Sequence, residues 1–378
     1  MHNNRITPVP GVPGDWQGDL VEVDRLESDD PGTLLDFLDS HGLAGEPLAQ
    51  RGEVGVALLV GARACAALGG VPAGRRSPTS VPELAAVAVR RVDAAGSFRG
   101  TAERGPTSVG RWEASWTPTQ HAAAVRDVRA AIASGDVYQA NVVGHRSAPC
   151  TGDPRTLAEA VAGLGARYSG VLSGEGWAVG SASPEQLVRI HGRRVTTEPI
   201  KGTAADRATL AASRKDQAEH VMIVDLERND LARVTIPGTV EVERLYALTP
   251  WSGLWHAVST VAGELTAGAT TADVLRAVLP GGSVTGAPKH AACRLLAGLE
   301  PVGRGPSMGA FGFLWPGGLD LGLSIRTVAV ADGRIHAWAG GGITWGSDPE
   351  DEVREADAKL APLLAALGDP SQVRPSSS

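Results

Sequence analysis

One lysine and two groups of acidic residues have types and spacings that could do chemistry. Lys201 lies in the stretch Pro199-Ile200-Lys201-Gly202-Thr203, where the proline and the glycine restrict the backbone and fix the direction of the amine. Burial favours the uncharged form of a lysine, which is a strong nucleophile toward an unsaturated carbon. A Lys-Gly pair is more often an exposed loop tip, so this stretch alone does not establish a site.

The first acidic group lies in a predicted helix between Leu210 and Leu231. Lys215 and Glu219 are four residues apart and therefore share one face of this helix, with Asp216 beside them. A solvated face of ion pairs is the ordinary explanation of such a pattern. The pattern becomes more informative when a second acidic group is expected nearby.

The second acidic group lies in a helix predicted over residues 350–366. Its polar side places Glu352, Glu355 and Lys359 in one row on adjacent turns. Two carboxylates on adjacent turns repel each other unless a cation pairs with them or water solvates both. Hard oxygen ligands with few histidines nearby favour Mg²⁺ over Zn²⁺.

Two further stretches could bind a carboxylate. The stretch 282–289 consists mostly of small residues and leads into a helix expected to start at Pro288. The free N–H groups of that helix suit an anion, although the spacing of a phosphate-binding loop is absent. Residues 320–330 alternate as a strand and place Arg326 on it. That arginine is either a solubilising group on an edge strand or a bidentate carboxylate clamp, and both remain open.

Local signals predict the elements that must position these groups. Residues 117–120, Thr-Pro-Thr-Gln, have the pattern of a capping box and start a helix that ends at Gly135. A strand is expected over residues 138–143. Strands predicted over 186–190 and 194–197, joined at His191-Gly192, form a hairpin that leads the chain to Lys201.

Composition excludes several classes of function. The chain has 378 residues, 43% of them hydrophobic, and a net charge of −7 without a basic stripe, which argues against a nucleic-acid partner. No apolar run approaches the roughly 20 residues of a membrane span, and the first residues lack an apolar signal core, so we expect a cytoplasmic protein with no membrane contact. Cys65, Cys150 and Cys293 have no CxxC spacing and predict no disulfide.

The length allows either one large two-lobed domain or two ordinary domains, and we adopt the two-lobed domain as the expectation. We expect disordered tails over residues 1–18 and 368–378, because both are rich in Pro, Gly or Ser and have no periodicity. Residues 19–110 form a short N-terminal part of the domain, and residues 111–367 form its catalytic part.

Taken in order, the motifs resemble those of the chorismate-utilising enzymes. The resemblance covers roughly residues 110–365, and several long motifs follow one another in the family's order. It runs through Gly135 to Gln139, Ser183 to Glu185, Pro199 to Thr203, Glu219-His220, Asp225 to Leu231, His256, Pro280 to Lys289, Ile325 to Thr327 and Gly340 to Lys359.

The resemblance implies an α+β fold in which two β-sheets pack around a central active-site cleft with helices outside. It also implies Mg²⁺ as the cofactor, which would bind the ring carboxylate of chorismate. Glu219 and Glu355 match the metal ligands, and Asp216 and Glu352 match outer acidic partners. Glu185 matches the general acid that protonates the departing C4 hydroxyl.

Other positions match groups that hold the substrate. His256 matches a histidine that faces the ring. The groups expected around the second carboxylate of chorismate are Arg326, Lys359, Thr285 and Gly342.

Two positions bear on which nucleophile attacks. Relatives that add water have a lysine base where this chain has Gln139, so ammonia is the expected nucleophile. Anthranilate synthases have alanine at the position of Lys201. The lysine of this chain resembles the residue that aminodeoxychorismate synthases have there. The resemblance therefore implies amination of chorismate to 4-amino-4-deoxychorismate through a covalent Lys201 adduct at C2.

The ammonia source and several alternatives follow from the same resemblance. The sequence contains no nucleophile elbow of an amidotransferase, so ammonia would come from a separate glutamine amidotransferase subunit or from free ammonium. The alternatives are a component I that makes anthranilate or 2-amino-2-deoxyisochorismate, and a non-catalytic regulatory binding subunit. The product would serve p-aminobenzoate biosynthesis, and both a folate pathway and a specialised-metabolite pathway remain open.

Overall fold

The computed structural model describes residues 11–16, 19–92, 105–251 and 254–368. In this part of the chain, all paired strands run antiparallel and form two sheets, with helices packed on their outer sides. The α+β class predicted from the sequence is thereby confirmed. None of the helices in the described ranges is long and apolar enough to cross a membrane.

The strands follow one another along the chain in short, mostly hairpin-connected runs. They are β1 (Asp19–Ser28), β2 (Val54–Val60), β3 (Leu84–Val92), β4 (Ser108–Val109), β5 (Glu113–Ala114), β6 (Gln139–Thr151), β7 (Tyr168–Gly174), β8 (Trp177–Ser183), β9 (Gln186–His191), β10 (Arg194–Glu198), β11 (Ile200–Ala204), β12 (Glu241–Trp251), β13 (Leu254–Glu264), β14 (Gly286–Ala287), β15 (Ala310–Trp315), β16 (Gly318–Leu323), β17 (Thr327–Ala331) and β18 (Arg334–Ile343).

The helices lie between these strands and close the chain. They are α1 (Gly32–Ser40), α2 (Ala62–Leu68), α3 (Pro118–Ala133), α4 (Pro154–Ala162), α5 (Arg207–Ala212), α6 (Arg214–Ala232), α7 (Thr271–Val278), α8 (Gly282–Thr285), α9 (Lys289–Leu299) and α10 (Pro349–Ala366), with 3₁₀ turns at Gly14–Trp16 and Pro47–Ala49.

The larger sheet has ten strands in the order β1-β3-β2-β15-β16-β9-β10-β13-β11, and β12 also pairs with β13. The smaller sheet has eight, in the order β14-β6-β18-β17-β8-β7, and β4 and β5 also pair with β6. The main core includes side chains from both sheets, among them Phe311 and Leu321 of the larger and Val179 and Trp338 of the smaller. Burial of such side chains contributes roughly 1.5–3 kcal/mol each, so these residues hold the sheets together.

Helix α3 begins where the local sequence predicts it. The Thr117 hydroxyl accepts a hydrogen bond from the backbone N–H of Gln120 at 3.2 Å, and the Gln120 side chain accepts one from the Thr117 N–H at 2.8 Å. This reciprocal pair satisfies two N–H groups at the helix start. The helix ends before Gly135, whose φ of +84° suits glycine.

The strand predicted over residues 320–330 is wrong, because the chain changes sheets inside it. Leu323 pairs with Ala310 in the larger sheet, and Thr327 pairs with Ser181 in the smaller one. Arg326 lies in the connection, with a φ of +48°, and not on a strand as expected. The alternation of apolar residues continues across the break because each sheet turns one face toward the core.

The long helix predicted from Leu210 to Leu231 is interrupted at Ser213. Helix α5 ends there, and the Ser213 hydroxyl accepts a hydrogen bond from the Asp216 N–H at 3.2 Å, which starts α6. A serine at this position favours the cap over a continuous helix because its side chain competes for backbone N–H groups. Asp216, Glu219 and the residues after them therefore belong to one helix, α6.

The predicted tails lie largely outside the described residues. Of the N-terminal one, residues 11–16 are described, and the Trp16 ring meets the edge of Phe313 with centroids 5.5 Å apart. This part packs on the core, which differs from the disorder expected for it. Of the C-terminal one, residue 368 alone is described.

Candidate active site

Lys201 lies on strand β11 and not in a turn. Lys201 pairs with Ala257 and Thr203 with His256 on β13, and the register shifts between them at Gly202, whose φ is +79°. A Cβ at Gly202 would lie 2.9 Å from the Asp216 Cγ. Glycine at this position therefore allows α6 to approach the strand that carries Lys201.

Glu185 lies between β8 and β9, with only 4% of its surface exposed. Its Oε1 accepts a hydrogen bond from the Ile200 N–H at 3.3 Å, so it touches the backbone of the residue next to Lys201. Burial raises the pKa of the Glu185 carboxyl, while the Lys201 ammonium and a hydrogen bond with the Ser283 side chain oppose the rise. A carboxyl whose pKa is raised can hold a proton for donation.

The small-residue stretch 282–289, which we name the wall, contacts both Lys201 and Glu185 through Ser283. The Lys201 Nζ donates to the Ser283 carbonyl at 3.4 Å, and the Thr285 hydroxyl donates to the Gly281 carbonyl at 2.8 Å. Residues 286–287 pair with strand β6, so they are not the free loop expected from the sequence. Helix α9 begins at Lys289, one residue after the predicted start.

A buried ion pair anchors this wall from behind. Arg304 donates to both carboxylate oxygens of Glu300, at 2.6 and 2.8 Å. The same guanidinium donates to the carbonyls of Val284 and Asn141, at 2.6 and 2.7 Å. Arg304 thus ties the wall to strand β6.

We expect Arg304→Met to destabilise the protein by about 3–5 kcal/mol, because it leaves the buried Glu300 carboxylate unpaired. The measurement is the free energy of unfolding in urea. The double variant Glu300→Gln/Arg304→Met should lose less than the single one, since no buried charge is then left alone. A single-variant loss below about 1 kcal/mol would contradict a structural role for the pair.

The first acidic group meets the second across the site. The Lys215 Nζ donates to the Glu352 Oε1 at 3.3 Å and lies 3.9 Å from the Glu219 Oε1. The Glu352 side chain is 4% exposed and that of Glu219 is 12% exposed. Burial raises the pKa of Glu219 to about 7, against the attraction of Lys201 and Lys215. Helices α6 and α10 therefore bring their carboxylates to one place, as the resemblance implies.

Glu355 and Lys359 lie one and two turns further along α10. The Lys359 Nζ is 2.7 Å from the Glu355 Oε1 and donates to the Gly340 carbonyl at 2.9 Å. A Cβ at Gly341 would lie 2.9 Å from the Glu352 Oε2 and 3.9 Å from the Glu355 Oε1. The absence of a side chain at Gly341 of strand β18 therefore leaves room for the carboxylates of Glu352 and Glu355 on α10.

Lys201 lies within electrostatic reach of three carboxyls from different elements. Loss of contact with water is the largest influence on the pKa of Glu185, Glu219 and Glu355, and it raises all three. The Lys201 ammonium lowers each of them. For Glu355, the nearby Lys359 shifts the balance, and its pKa lies below the ordinary value.

The remaining predicted residues surround this centre. The Thr203 hydroxyl and the His256 Nδ1 are 3.1 Å apart, and His256 is 3% exposed. A Cβ at Gly342 would lie 1.9 Å from the Gln139 Nε2, so that glycine makes room for the amide. Burial lowers the pKa of Arg326, and the Glu185 carboxyl opposes this, which places the guanidinium near the acid. Their roles in binding stay predictions.

The residues present fit a divalent cation. The Glu219 Oε1 is buried and has no hydrogen-bond partner among the described residues, and the nearby carboxylates supply only oxygen donors. Hard oxygen donors suit Mg²⁺. No three acidic, histidine or cysteine side chains of the described ranges converge into a complete metal cage.

The burial of Glu227, two turns after Glu219 on α6, was not predicted from the sequence. Its side chain is 3% exposed, its Oε2 accepts from the Thr197 hydroxyl at 3.2 Å, and its Oε1 would lie 3.1 Å from a Cβ at Gly282. The ion pair between Lys289 and Asp230, 2.6 Å long, lies beside it. The eight-residue spacing from Glu219 was a usable signal, since it keeps both acids on one side of the helix.

His220 belongs to the Glu219-His220 motif of the resemblance, but the sequence predicts no role for it. It is completely buried and meets the Tyr246 ring edge-on at 5.2 Å. Burial, together with the Lys201 ammonium, lowers the pKa of His220 to about 4. The imidazole is therefore neutral near pH 7 and adds no positive charge beside Lys201.

Glu227 gives a pH-dependent prediction. Burial, reinforced by Asp230, raises the pKa of Glu227 to about 8, whereas an unfolded glutamate has a pKa of about 4.3. Between these values the folded protein holds more protons than the unfolded chain, so this group makes stability fall as pH rises toward 8. We expect Glu227→Gln to remove that fall.

The measurement is urea unfolding at pH 5, 6, 7 and 8. The slope of unfolding free energy against pH should differ between Glu227→Gln and the wild type by up to about 1.4 kcal/mol per pH unit. Glu175→Gln, in the exposed turn between β7 and β8, is the matched control and should leave the slope unchanged. Identical slopes for wild type and Glu227→Gln would show that Glu227 is ionised in the folded protein.

A lysine, a buried carboxyl group and a group of acidic side chains lie together beside the two antiparallel sheets, and enzymes use such side chains for acid–base and nucleophilic chemistry. The family model of the chorismate binding enzymes matches residues 76–365. The chain therefore belongs to the chorismate binding enzyme family.

Relatives with two different names are similar to the chain. Anthranilate synthase component 1 of Streptomyces coelicolor is 41% identical over 297 residues, which cover 74% of this chain and 58% of that protein. Aminodeoxychorismate synthase component 1 of Salmonella typhimurium is 37% identical over 284 residues, which cover 71% of this chain and 63% of that protein. The chain thus aligns with about three fifths of the length of these relatives.

Solved structures share the fold. Anthranilate synthase component I from Streptococcus pneumoniae superposes with a TM-score of 0.77 at 24% identity, covering 95% of this chain and 92% of that one. The isochorismate synthase MenF from Escherichia coli superposes with a TM-score of 0.69 at 18% identity, covering 96% of each chain. These similarities confirm the predicted architecture.

Proposed function

We propose that the chain aminates chorismate at C4 with ammonia, giving 4-amino-4-deoxychorismate and water, through a covalent bond between Lys201 and ring carbon C2. The observation that supports this most directly is the position of the Lys201 amine. It is held on a strand, beside the Ser283 carbonyl and within electrostatic reach of Glu185, Glu219 and Glu355.

The first half of the reaction forms the adduct. The uncharged Lys201 amine attacks C2, the ring double bond shifts, and the C4 hydroxyl leaves as water with the proton that Glu185 donates. The amine nitrogen keeps both of its protons as it bonds to carbon, so the adduct carries a secondary ammonium. Glu185 suits the role of donor because it is buried, has a raised pKa and touches the backbone next to Lys201.

The second half releases the product. Ammonia attacks C4, the double bonds return to their first positions, and the Lys201 amine leaves C2. The Glu185 carboxylate takes the proton that the incoming nitrogen loses, which restores the acid for the next turnover. The Lys201 nitrogen leaves as a neutral amine with both of its protons, so the balance is chorismate plus ammonia to aminated product plus water.

The carboxylates of the substrate need cations. Bound Mg²⁺ would neutralise the ring carboxylate, held by Glu219 and Glu355 with Glu352 and Asp216 in support. Arg326 and Lys359, with the Thr285 and Gly342 backbone regions, are proposed to hold the other carboxylate. His256, positioned by Thr203, would lie against the ring.

Gln139 and the relatives bear on the nucleophile and on its source. An amide cannot deprotonate water as a lysine base can, so Gln139 favours ammonia over water. We propose that a glutamine amidotransferase subunit supplies the ammonia. The 41% identity to an anthranilate synthase component supports a second candidate, in which ammonia enters C2 and the product is anthranilate or its 2-amino precursor.

The test is incubation of the protein with chorismate, Mg²⁺ and ammonium, followed by mass spectrometry and NMR of the product. Reactions without ammonium and reactions with a chelator are the controls. A 4-amino product supports the proposal. A 2-amino product or anthranilate would refute it in favour of the second candidate, and absence of any ammonium-dependent product would favour a binding subunit.

A further inference from the structure

The chain contains four lysines, and its other side chains with a permanent positive charge are arginines. Most exposed ion pairs of the described residues use arginine, as between Arg228 and Asp225, and the pair of Lys359 with Glu355 is an exception. Each lysine instead contacts an oxygen in the catalytic half of the fold, in the contacts Lys201 with Ser283, Lys215 with Glu352, Lys289 with Asp230 and Lys359 with Glu355. Lys215 is half exposed, with 48% of its side chain accessible to solvent, although the Glu352 side chain that it contacts is only 4% exposed.

The position of Lys215 is that of a shared cation. Its ammonium lies 3.3 Å from the Glu352 Oε1 and 3.9 Å from the Glu219 Oε1, between helices α6 and α10. Glu219 and Glu352 are well shielded from water and carry like charges, so they repel each other unless a positive charge lies between them. The Glu219 Oε1 makes no hydrogen bond among the described residues, so its contact with Lys215 is electrostatic.

We infer that Lys215 is an internal counter-ion that holds the place of the divalent cation between Glu219 and Glu352 and moves into solvent when the metal binds. The inference rests on the metal site of the proposed function. A compact ammonium resembles a metal ion more than the planar guanidinium of arginine does. The half-exposed side chain reaches solvent by rotating its own bonds, without movement of α6.

Two consequences follow for metal binding. Lys215 keeps the carboxylates in position before the metal arrives, and it also competes with the metal for them. A ligand that must first displace another group binds with a reduced apparent affinity. Removing the ammonium should therefore tighten Mg²⁺ binding and, in the absence of metal, weaken the protein.

The experiment compares wild type with Lys215→Met, which keeps the length of the side chain and removes its charge. Isothermal titration gives the Mg²⁺ dissociation constant, and thermal unfolding is followed in chelator and in saturating Mg²⁺. We expect Lys215→Met to bind Mg²⁺ at least about fivefold more tightly. The midpoint temperature of thermal unfolding of Lys215→Met should be lower than that of wild type in chelator. The two midpoint temperatures should be equal in saturating Mg²⁺.

Arg228→Met is the matched control, because it removes the same charge from an exposed ion pair of the same helix. It should leave the Mg²⁺ dissociation constant unchanged, which separates local competition from a change in net charge. Unchanged or weaker Mg²⁺ binding by Lys215→Met overturns the inference, since Lys215 would then be neutral toward the metal or needed to bind it. Equal tightening in both variants overturns it as well.

Failure of this inference differs from failure of the proposed function. A wild type that makes the 4-amino product with Mg²⁺, together with an unaffected Lys215→Met dissociation constant, refutes the counter-ion alone. Tighter Mg²⁺ binding by Lys215→Met without any 4-amino product supports the counter-ion and refutes the reaction. A wild type and a Lys215→Met variant that both fail to bind Mg²⁺ refute the counter-ion together with the metal site.

Discussion

Lys201→Ala is expected to lower the rate of 4-amino-4-deoxychorismate formation by on the order of 10³-fold or more, because no amine remains to attack C2. The truncated side chain leaves space in which ammonia can reach C2 directly. A low yield of a 2-amino product is therefore the expected residual activity. The measurement is a time course of product formation, with each product identified by mass and NMR.

Lys201→Arg serves as the companion variant. It keeps a positive charge near Glu185, Glu219 and Glu355 but supplies no nucleophile, since the guanidinium stays protonated. Loss of activity in both variants identifies the amine as the requirement. Recovery of activity in Lys201→Arg would instead assign Lys201 a purely electrostatic role and contradict the covalent route.

Trapping gives an independent measurement of the same step. Wild type quenched after exposure to chorismate without ammonia should carry chorismate minus water on the peptide that contains Lys201. The adduct should disappear when ammonia is added before the quench. Product formed at full speed with Lys201 unmodified would rule out the adduct as an intermediate.

Elements fixed by neighbours in sequence were predictable. The capping box at Thr117 and Gln120 and the spacing of Glu352, Glu355 and Lys359 are local features, and the structure contains them. Each depends on hydrogen bonds or side-chain directions within one or two turns of a helix. Tertiary packing did not change these local features.

Arg326 shows where local reasoning fails. The alternation over residues 320–330 is real, but β16 belongs to the larger sheet and β17 to the smaller one. Both strands turn one face to the shared core, so the pattern of apolar residues contains no sign of the break between them. The positive φ at Arg326 is set by that crossing and not by its own preference.

The acidic centre shows a second limit. Lys215 and Glu219 are four residues apart in sequence, so their contact was predictable. Lys215 and Glu352 are 137 residues apart, and their contact was not. Burial of Glu227 likewise depends on the approach of residues 282–285 to α6. Sequence spacing predicts which groups share a face, and the packing of two faces decides which of them become a site.

Glu355→Gln is expected to lower activity by on the order of 10²–10³-fold and to raise the Mg²⁺ concentration needed for half-maximal activity, because an amide oxygen is a weaker ligand than a carboxylate. Glu219→Gln should behave alike. The measurements are activity across a Mg²⁺ titration and Mg²⁺ binding by calorimetry, which report on the metal separately from the chemistry.

Glu350→Gln is the matched control, since Glu350 lies at the start of the same helix with 56% of its side chain exposed, paired with Arg126 on the outer surface. It loses the same charge from α10 but should keep the wild-type Mg²⁺ requirement. If Glu355→Gln also keeps that requirement and full turnover, the carboxylates of α10 do not hold a metal. Unchanged turnover in both Glu355→Gln and Lys201→Ala would favour a binding subunit, because the proposed reaction needs both the amine and the metal ligand.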